Sequence, residues 1–139
     1  MRIKSLPVTQ RFTITDEEYG DAVIEVRQAT MGDNIKRQDL VSEASLVIND
    51  KQLGTEIKQR INALERHRYE TYLTLVSCDI IEEESEKAWF RFNKGRVADE
   101  AEFNVAWSKL PQSVAQKIHE KVLVVNPDWG NATDEDPLD

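Results

Sequence analysis

One cysteine, Cys78, stands among 139 residues. No internal disulfide is available to staple this fold, and the usage fits a reducing compartment. The five glycines are scattered. That excludes a glycine-rich loop cradling a phosphate, and no G-x-S-x-G nucleophile elbow occurs. No apolar run is long enough to cross a bilayer. MRIKSLPVTQ places charges and a proline where a signal peptide needs an apolar stretch. Positive charge is also short: 18 Lys and Arg against 26 Asp and Glu leave a net charge of -8. An acidic surface repels nucleic acid and anionic lipid, so neither is an expected partner, although Arg2, Lys4 and Arg11 make the start locally basic. The length suits one domain with a small core.

Hydrophobic period then orders the chain. Residues 1–9, with Pro7, read as an extended or disordered lead. Gln10–Thr15 alternates with Phe12 and Ile14 on one side, and Ala22–Ala29 is rich in β-branched residues. With turn chemistry at 16–21 between them, the two form an expected antiparallel hairpin. Thr30 has N-cap chemistry, and Asp33 sits where a carboxylate favours the helix dipole. Leu40, Val41, Ala44, Val47 and Ile48 follow at helical spacing, stopped by Asn49-Asp50. A second helix is expected from Gly54-Thr55, with a stripe of Ile57, Ile61, Leu64, Tyr72 and Leu75. It runs to Cys78, or gives way to a strand over 77–81. The path of residues 79–98 is open; Asn93-Lys94-Gly95 has turn chemistry. Asp99 and Glu102 are spaced as a capping box before Phe103, Ala106, Trp107 and Leu110. Pro111 suits a helix first turn, and Val114, Ile118, Val122 and Val125 make the next stripe, ending at Asn126-Pro127. The fold class is therefore α+β, mostly α-helical: an N-terminal β-hairpin followed by roughly four helices. A single domain covers 1–130, and 131–139 is an acidic tail expected to be disordered.

Candidate chemistry is thin. His67 and Glu70 share a helix face, but a metal site needs at least three convergent ligands. A solvated charged face is the simpler reading. His119-Glu120 is weaker still, because adjacent helix residues diverge. Cys78 has no activating neighbour in the sequence and reads as a small core residue. Asp79, Glu82, Glu83, Glu84 and Glu86 lack EF-hand spacing and read as a solvated loop. Asn131-Ala132-Thr133 matches a glycosylation sequon that a cytoplasmic chain never presents to the enzyme. No catalytic residue, cofactor or metal is expected. Trp89, Phe90 and Trp129 fall in expected loops or flanks, where large aromatics act as partner-binding anchors.

The succession VRQATMGDN, YLTLVSCDI, FRFNKGRV, EAEFNVAWSKLP and KIHEKVLVVNPDW resembles the tail assembly chaperones of long-tailed bacteriophages. The pattern covers roughly Ala22 to Trp129 and is most specific at Ala106–Pro111 and Ile118–Trp129. The resemblance implies a protein without enzymatic activity or cofactor. Such a protein coats the tape-measure protein and recruits tail-tube protein in the host bacterial cytoplasm, then departs before the virion matures. It also implies self-association and a longer product made by a -1 ribosomal frameshift. Trp129-Gly130-Asn131 permits such a slip, because TGG, GGA and AAC together contain G GGA AAC; another glycine codon removes it. The rival readings are a head–tail connector component, which would stay in the virion, and a small metal-dependent hydrolase using the acidic loop at Glu82 and Glu83.

Overall fold

The computed structural model describes residues 1–3, 8–48, 55–90, 92–93, 96–97 and 99–133. Strand β1 (Thr9–Asp16) pairs antiparallel with β2 (Gly20–Arg27), placing Phe12 opposite Ile24 and Ile14 opposite Ala22. The alternation puts Ile14, Ala22, Ile24 and Val26 on one buried face. Asp16 shapes the turn: its Oδ1 accepts from the amides of Glu18 (2.9 Å) and Tyr19 (3.2 Å). Gly20 leaves the turn with φ +90°, where a side chain would be strained.

Helix α1 (Met31–Ile48) begins as its sequence suggests. The Asp33 amide donates to Thr30 Oγ1 (3.2 Å), and the Thr30 amide donates to Asp33 Oδ2 (2.9 Å), a reciprocal cap. Helix α2 (Thr55–Thr74) passes directly into β3 (Leu75–Cys78), which pairs antiparallel with the far edge of β2 across a bulge at Glu25/Val26. The strand alternative is thus the observed one, beginning two residues earlier than expected. Leu75 and Val76 are both buried, which suits an extended chain whose two faces are covered. Arg27 Nη2 donates to the carbonyl of Leu73 (2.5 Å) and so satisfies an orphan acceptor at the end of α2.

The open stretch after β3 contains two short hairpins. Strands β4 (Ile81–Glu82) and β5 (Lys87–Ala88) form one; β6 (Phe92–Asn93) and β7 (Arg96–Val97) form the other. Lys94 and Gly95 of the expected turn lie outside the described residues. Asp99 caps α3 (Glu100–Ser108), its Oδ1 accepting from the Ala101 amide at 2.9 Å. After Pro111, α4 (Gln112–Val125) buries Val114, Ile118, Val122 and Val125, the full expected stripe. It packs against β1, β2 and α2, so the core lies between the sheet face and α4, with Phe103 of α3 completing it. Lys117 Nζ reaches Asp16 Oδ2 (3.0 Å), tying α4 to the hairpin turn. That ammonium, with Ser113 and the turn amides, holds the Asp16 carboxyl well below the usual carboxylate range.

Two expectations need correction. Asn126 ends α4, but α5 (Pro127–Thr133) follows at once, so helix continues three residues into the expected tail. Residues 134–139 lie outside the described residues, as do Pro7, Asn49-Asp50 and Gly54. The α2 stripe is only partly apolar inward: Leu73 and Leu75 are buried, but Leu64 is 53% exposed, and Arg66, Glu70, Thr71 and Thr74 are buried with them. The side chains of Val41, Ala44, Val47, Ile48, Ile57 and Ile61 are outside the description. Among the described residues the helices number five.

The α1 cap makes a pH prediction. Burial works to raise the Asp33 pKa, but the Arg27 guanidinium (2.7 Å) and the Thr30 donors outweigh it, leaving Asp33 below its ordinary 3.8. A folded-state value below the unfolded one adds stability in full above about pH 3.8, and that stability is lost as pH falls through the folded value. Asp33→Asn should therefore cost about 1–3 kcal/mol at pH 7. In urea titrations the gap to wild type should close in strong acid.

Candidate functional site

The largest polar assembly is interior. Glu70, 1% exposed, comes from the C-terminal part of α2. Its Oε2 accepts from Arg37 Nε of α1 (2.5 Å), with Arg66 Nε one turn back at 3.9 Å. Its Oε1 lies 2.7 Å from His119 Nε2 of α4. A carboxylate only accepts, so that imidazole nitrogen carries the hydrogen. His67 stacks on His119, ring centroids 3.9 Å apart. The buried hydroxyls nearby bond back along α2, Thr71 to the carbonyl of His67 and Thr74 to that of Glu70, both at 2.8 Å. The expected solvated face at His67 and Glu70 is thus a desolvated ion network. His119, unremarkable beside Glu120 in sequence, is one of its members. Among the described residues no group of three His, Cys, Asp or Glu side chains is arranged to hold a metal ion.

The same network reaches the end of the chain. Arg37 lies over the Trp129 ring, 5.3 Å to the centroid, and its Nη2 donates to the Trp129 carbonyl (3.3 Å). Trp129 Nε1 donates to Asn34 Oδ1 (2.8 Å). One turn earlier, Asn126 Oδ1 accepts from the Ala29 amide (2.8 Å), while its Nδ2 donates to the carbonyls of Arg27 and Val122 (both 3.3 Å). The segment Asn126–Trp129 is a latch closing α5 over the β2–α1 junction.

Trp129 is consequently buried, as are Trp89 and Phe90. All three were expected at loop surfaces, and the structure puts them in the core instead. Trp89 and Phe90 follow β5, and the tight return of the β4–β5 hairpin folds them onto Phe103, with ring centroids 6.2 and 5.7 Å away. Trp89 Nε1 donates to the carbonyl of Ala106 (2.7 Å), fixing the ring on α3. Both side chains keep a small exposure, 8% for Trp89 and 7% for Phe90. They form the floor of an open groove of about 490 Å³ between the β4–β5 hairpin and α3. Its sides are Ala88, Ala101, Val105 and Ala106, and its rim carries Glu82, Glu102 and Lys109. Val105 is 57% exposed, a surface valine that helical period alone gave no reason to single out.

The other sequence candidates are quieter. Cys78 is half-buried against the core. Burial pushes its thiol up to about 11, so it is neutral and a poor nucleophile at pH 7. Glu82, Glu83, Glu84 and Glu86 are exposed along the β4–β5 hairpin, and Glu86 turns the chain with φ 54°. No protein-family model, curated protein or solved structure matches the chain. Among the described residues no helix is long and apolar enough to cross a membrane.

The network sets a stability test. Removing one partner of a buried ion pair costs about 3–5 kcal/mol, because the other charge stays desolvated. Glu70→Ala should lose that much in urea unfolding, and Glu70→Gln, which keeps an acceptor oxygen, clearly less. Equal losses would mean that shape and an acceptor oxygen rescue nothing once the carboxylate charge is gone.

Proposed function

We propose that this chain is a tail assembly chaperone of a long-tailed bacteriophage. It binds the tape-measure protein and recruits tail-tube protein in the host bacterial cytoplasm, without catalysis, and is left out of the mature virion. One observation carries the reading beyond the sequence pattern. The two segments most specific to the resemblance, Ala106–Pro111 and Ile118–Trp129, coincide with the frame of the domain. Ile118, Val122 and Val125 face the sheet, His119 meets Glu70, and Asn126 and Trp129 close the latch. Segments that share both a sequence pattern and one continuous structural task make a coherent match.

Gly130 supports the two-product part of the reading. It sits within α5, its φ lies outside the left-handed region, and an added Cβ would meet Leu123 at an ordinary 3.8 Å. Glycine inside a helix is disfavoured by about 1 kcal/mol relative to alanine. Among the described residues no close approach requires it, which fits a position held for its codon rather than its side chain. The longer frameshifted form would share residues up to this point, and with them the whole latch.

The client surface falls on the groove above Trp89 and Phe90 rather than on Trp129, whose ring is covered by Arg37 and Asn34. Co-expression of the full chain with the tape-measure protein of the same phage should raise the soluble fraction of that protein several-fold. Mass spectrometry of purified virions should find the chain absent. An equally insoluble tape-measure protein with and without it would sink the chaperone reading. Stoichiometric presence in virions would favour a connector instead.

A further inference from the structure

The groove between the β4–β5 hairpin and α3 has a specific electrical character. Its lining is mostly apolar: Trp89 and Phe90, with Ala88, Ala101, Val105 and Ala106. Its rim carries Glu82 and Glu102 against Lys109, and the hairpin beyond it presents Glu83, Glu84 and Glu86 against Lys87, all exposed. Among the described residues none of Glu83, Glu84, Glu86 and Glu102 is held in an ion pair with this chain's own cations. The floor is rigid, because Trp89 is pinned at both ends: its amide donates to the carbonyl of Ile80 (2.9 Å) and its indole to that of Ala106 (2.7 Å).

We propose that this groove docks a basic amphipathic helix from another protein, with one or two large apolar side chains seated over Trp89 and Phe90 and flanking Lys or Arg meeting the glutamates. The choice of occupant follows from charge. A second copy of this chain brings the same acidic rim and a net charge of -8. The chain's own last residues, DEDPLD, are acidic as well, and like charges placed together are costly. A helix carrying cations around an apolar stripe satisfies both the carbon floor and the carboxylate rim. The inference names the client-binding surface of the chaperone and rests on that reading only for the client's identity, not for the groove's chemistry.

The test uses the full chain and two synthetic helical peptides of roughly 16 residues, with the same leucine spacing, one carrying Lys and the other Glu at the polar positions. Isothermal titration should show binding of the Leu/Lys peptide, weakening with added salt, and none of the Leu/Glu peptide. Val105→Asp should weaken binding by about tenfold or more. Val124→Asp, at an equally exposed valine of α4 (57%), should change it by less than about twofold. Glu102→Lys should weaken it and flatten the salt dependence. Equal binding of both peptides, or equal effects of Val105→Asp and Val124→Asp, would overturn the proposal. So would a dimer in sedimentation that Val105→Asp dissociates, which would seat a second copy in the groove, for instance through its basic Arg2–Lys4 stretch. Tighter binding after deletion of residues 134–139 would overturn it by seating the chain's own tail there. Because no tape-measure protein is used, peptide binding and chaperone activity can fail independently.

Discussion

The carboxylate of Glu70 is the constraint on which the helical part of the fold depends. It is buried from α2, and it is met from α1 by Arg37 and from α4 by His119. Arg37 in turn carries the contact to Trp129 in α5. A desolvated charge costs several kcal/mol unless its partners stand at hydrogen-bond distance. The helices therefore have little freedom to slide. A shift of α1 or α4 by one turn would leave the carboxylate, or its guanidinium, buried without its mate. Apolar contacts alone tolerate such shifts far better, since a leucine displaced by one turn still finds carbon. The network's contribution is thus as much to which packing is adopted as to how stable it is.

That division explains what the sequence revealed. Helix α4 was legible because Val114, Ile118, Val122 and Val125 recur at helical spacing and all face a sheet. The hairpin was legible because Phe12, Ile14, Ile24 and Val26 alternate and its turn has Asp16 and Gly20. The caps at Thr30 and Asp99 were legible because capping is local chemistry. Helix α2 was legible as an element, but not in its inward face. Beside Leu73 that face buries Arg66, Glu70, Thr71 and Thr74, residues that hydrophobic period assigns to solvent. Only knowledge of Arg37 and His119, 33 and 49 residues away from Glu70, turns that polar face into an interior one. No window of sequence contains the three together.

The aromatics failed for a related reason. Trp89 and Phe90 were placed at the surface because acidic and turn-forming residues precede them. The acidity is real, but it belongs to a hairpin that reverses the chain and lays the next two residues on Phe103. Trp129 falls in an expected flank because Asn126-Pro127 reads as a helix stop. Proline at the start of a helix is no break, and α5 begins there. In both places a local polarity signal was correct about exposure of the backbone turn and wrong about the side chain beyond it.

The burial of Trp89 and Phe90 makes them better suited to recognition than exposed aromatics would be. A ring free in solvent must lose its rotamer freedom on binding, about 0.5–1.5 kcal/mol for each immobilised side chain. Here that ordering is already completed by folding, through the Ala106 carbonyl and the edge-to-face contacts with Phe103. What is left for a partner to contact is a preformed strip of carbon edged by carboxylates. The interior and the groove thus meet at one helix. Ala106 faces inward to hold the indole, and Val105, the residue before it, faces outward beside the glutamates. A substitution at the first position disturbs the fold and the groove together, whereas one at the second reaches the groove alone.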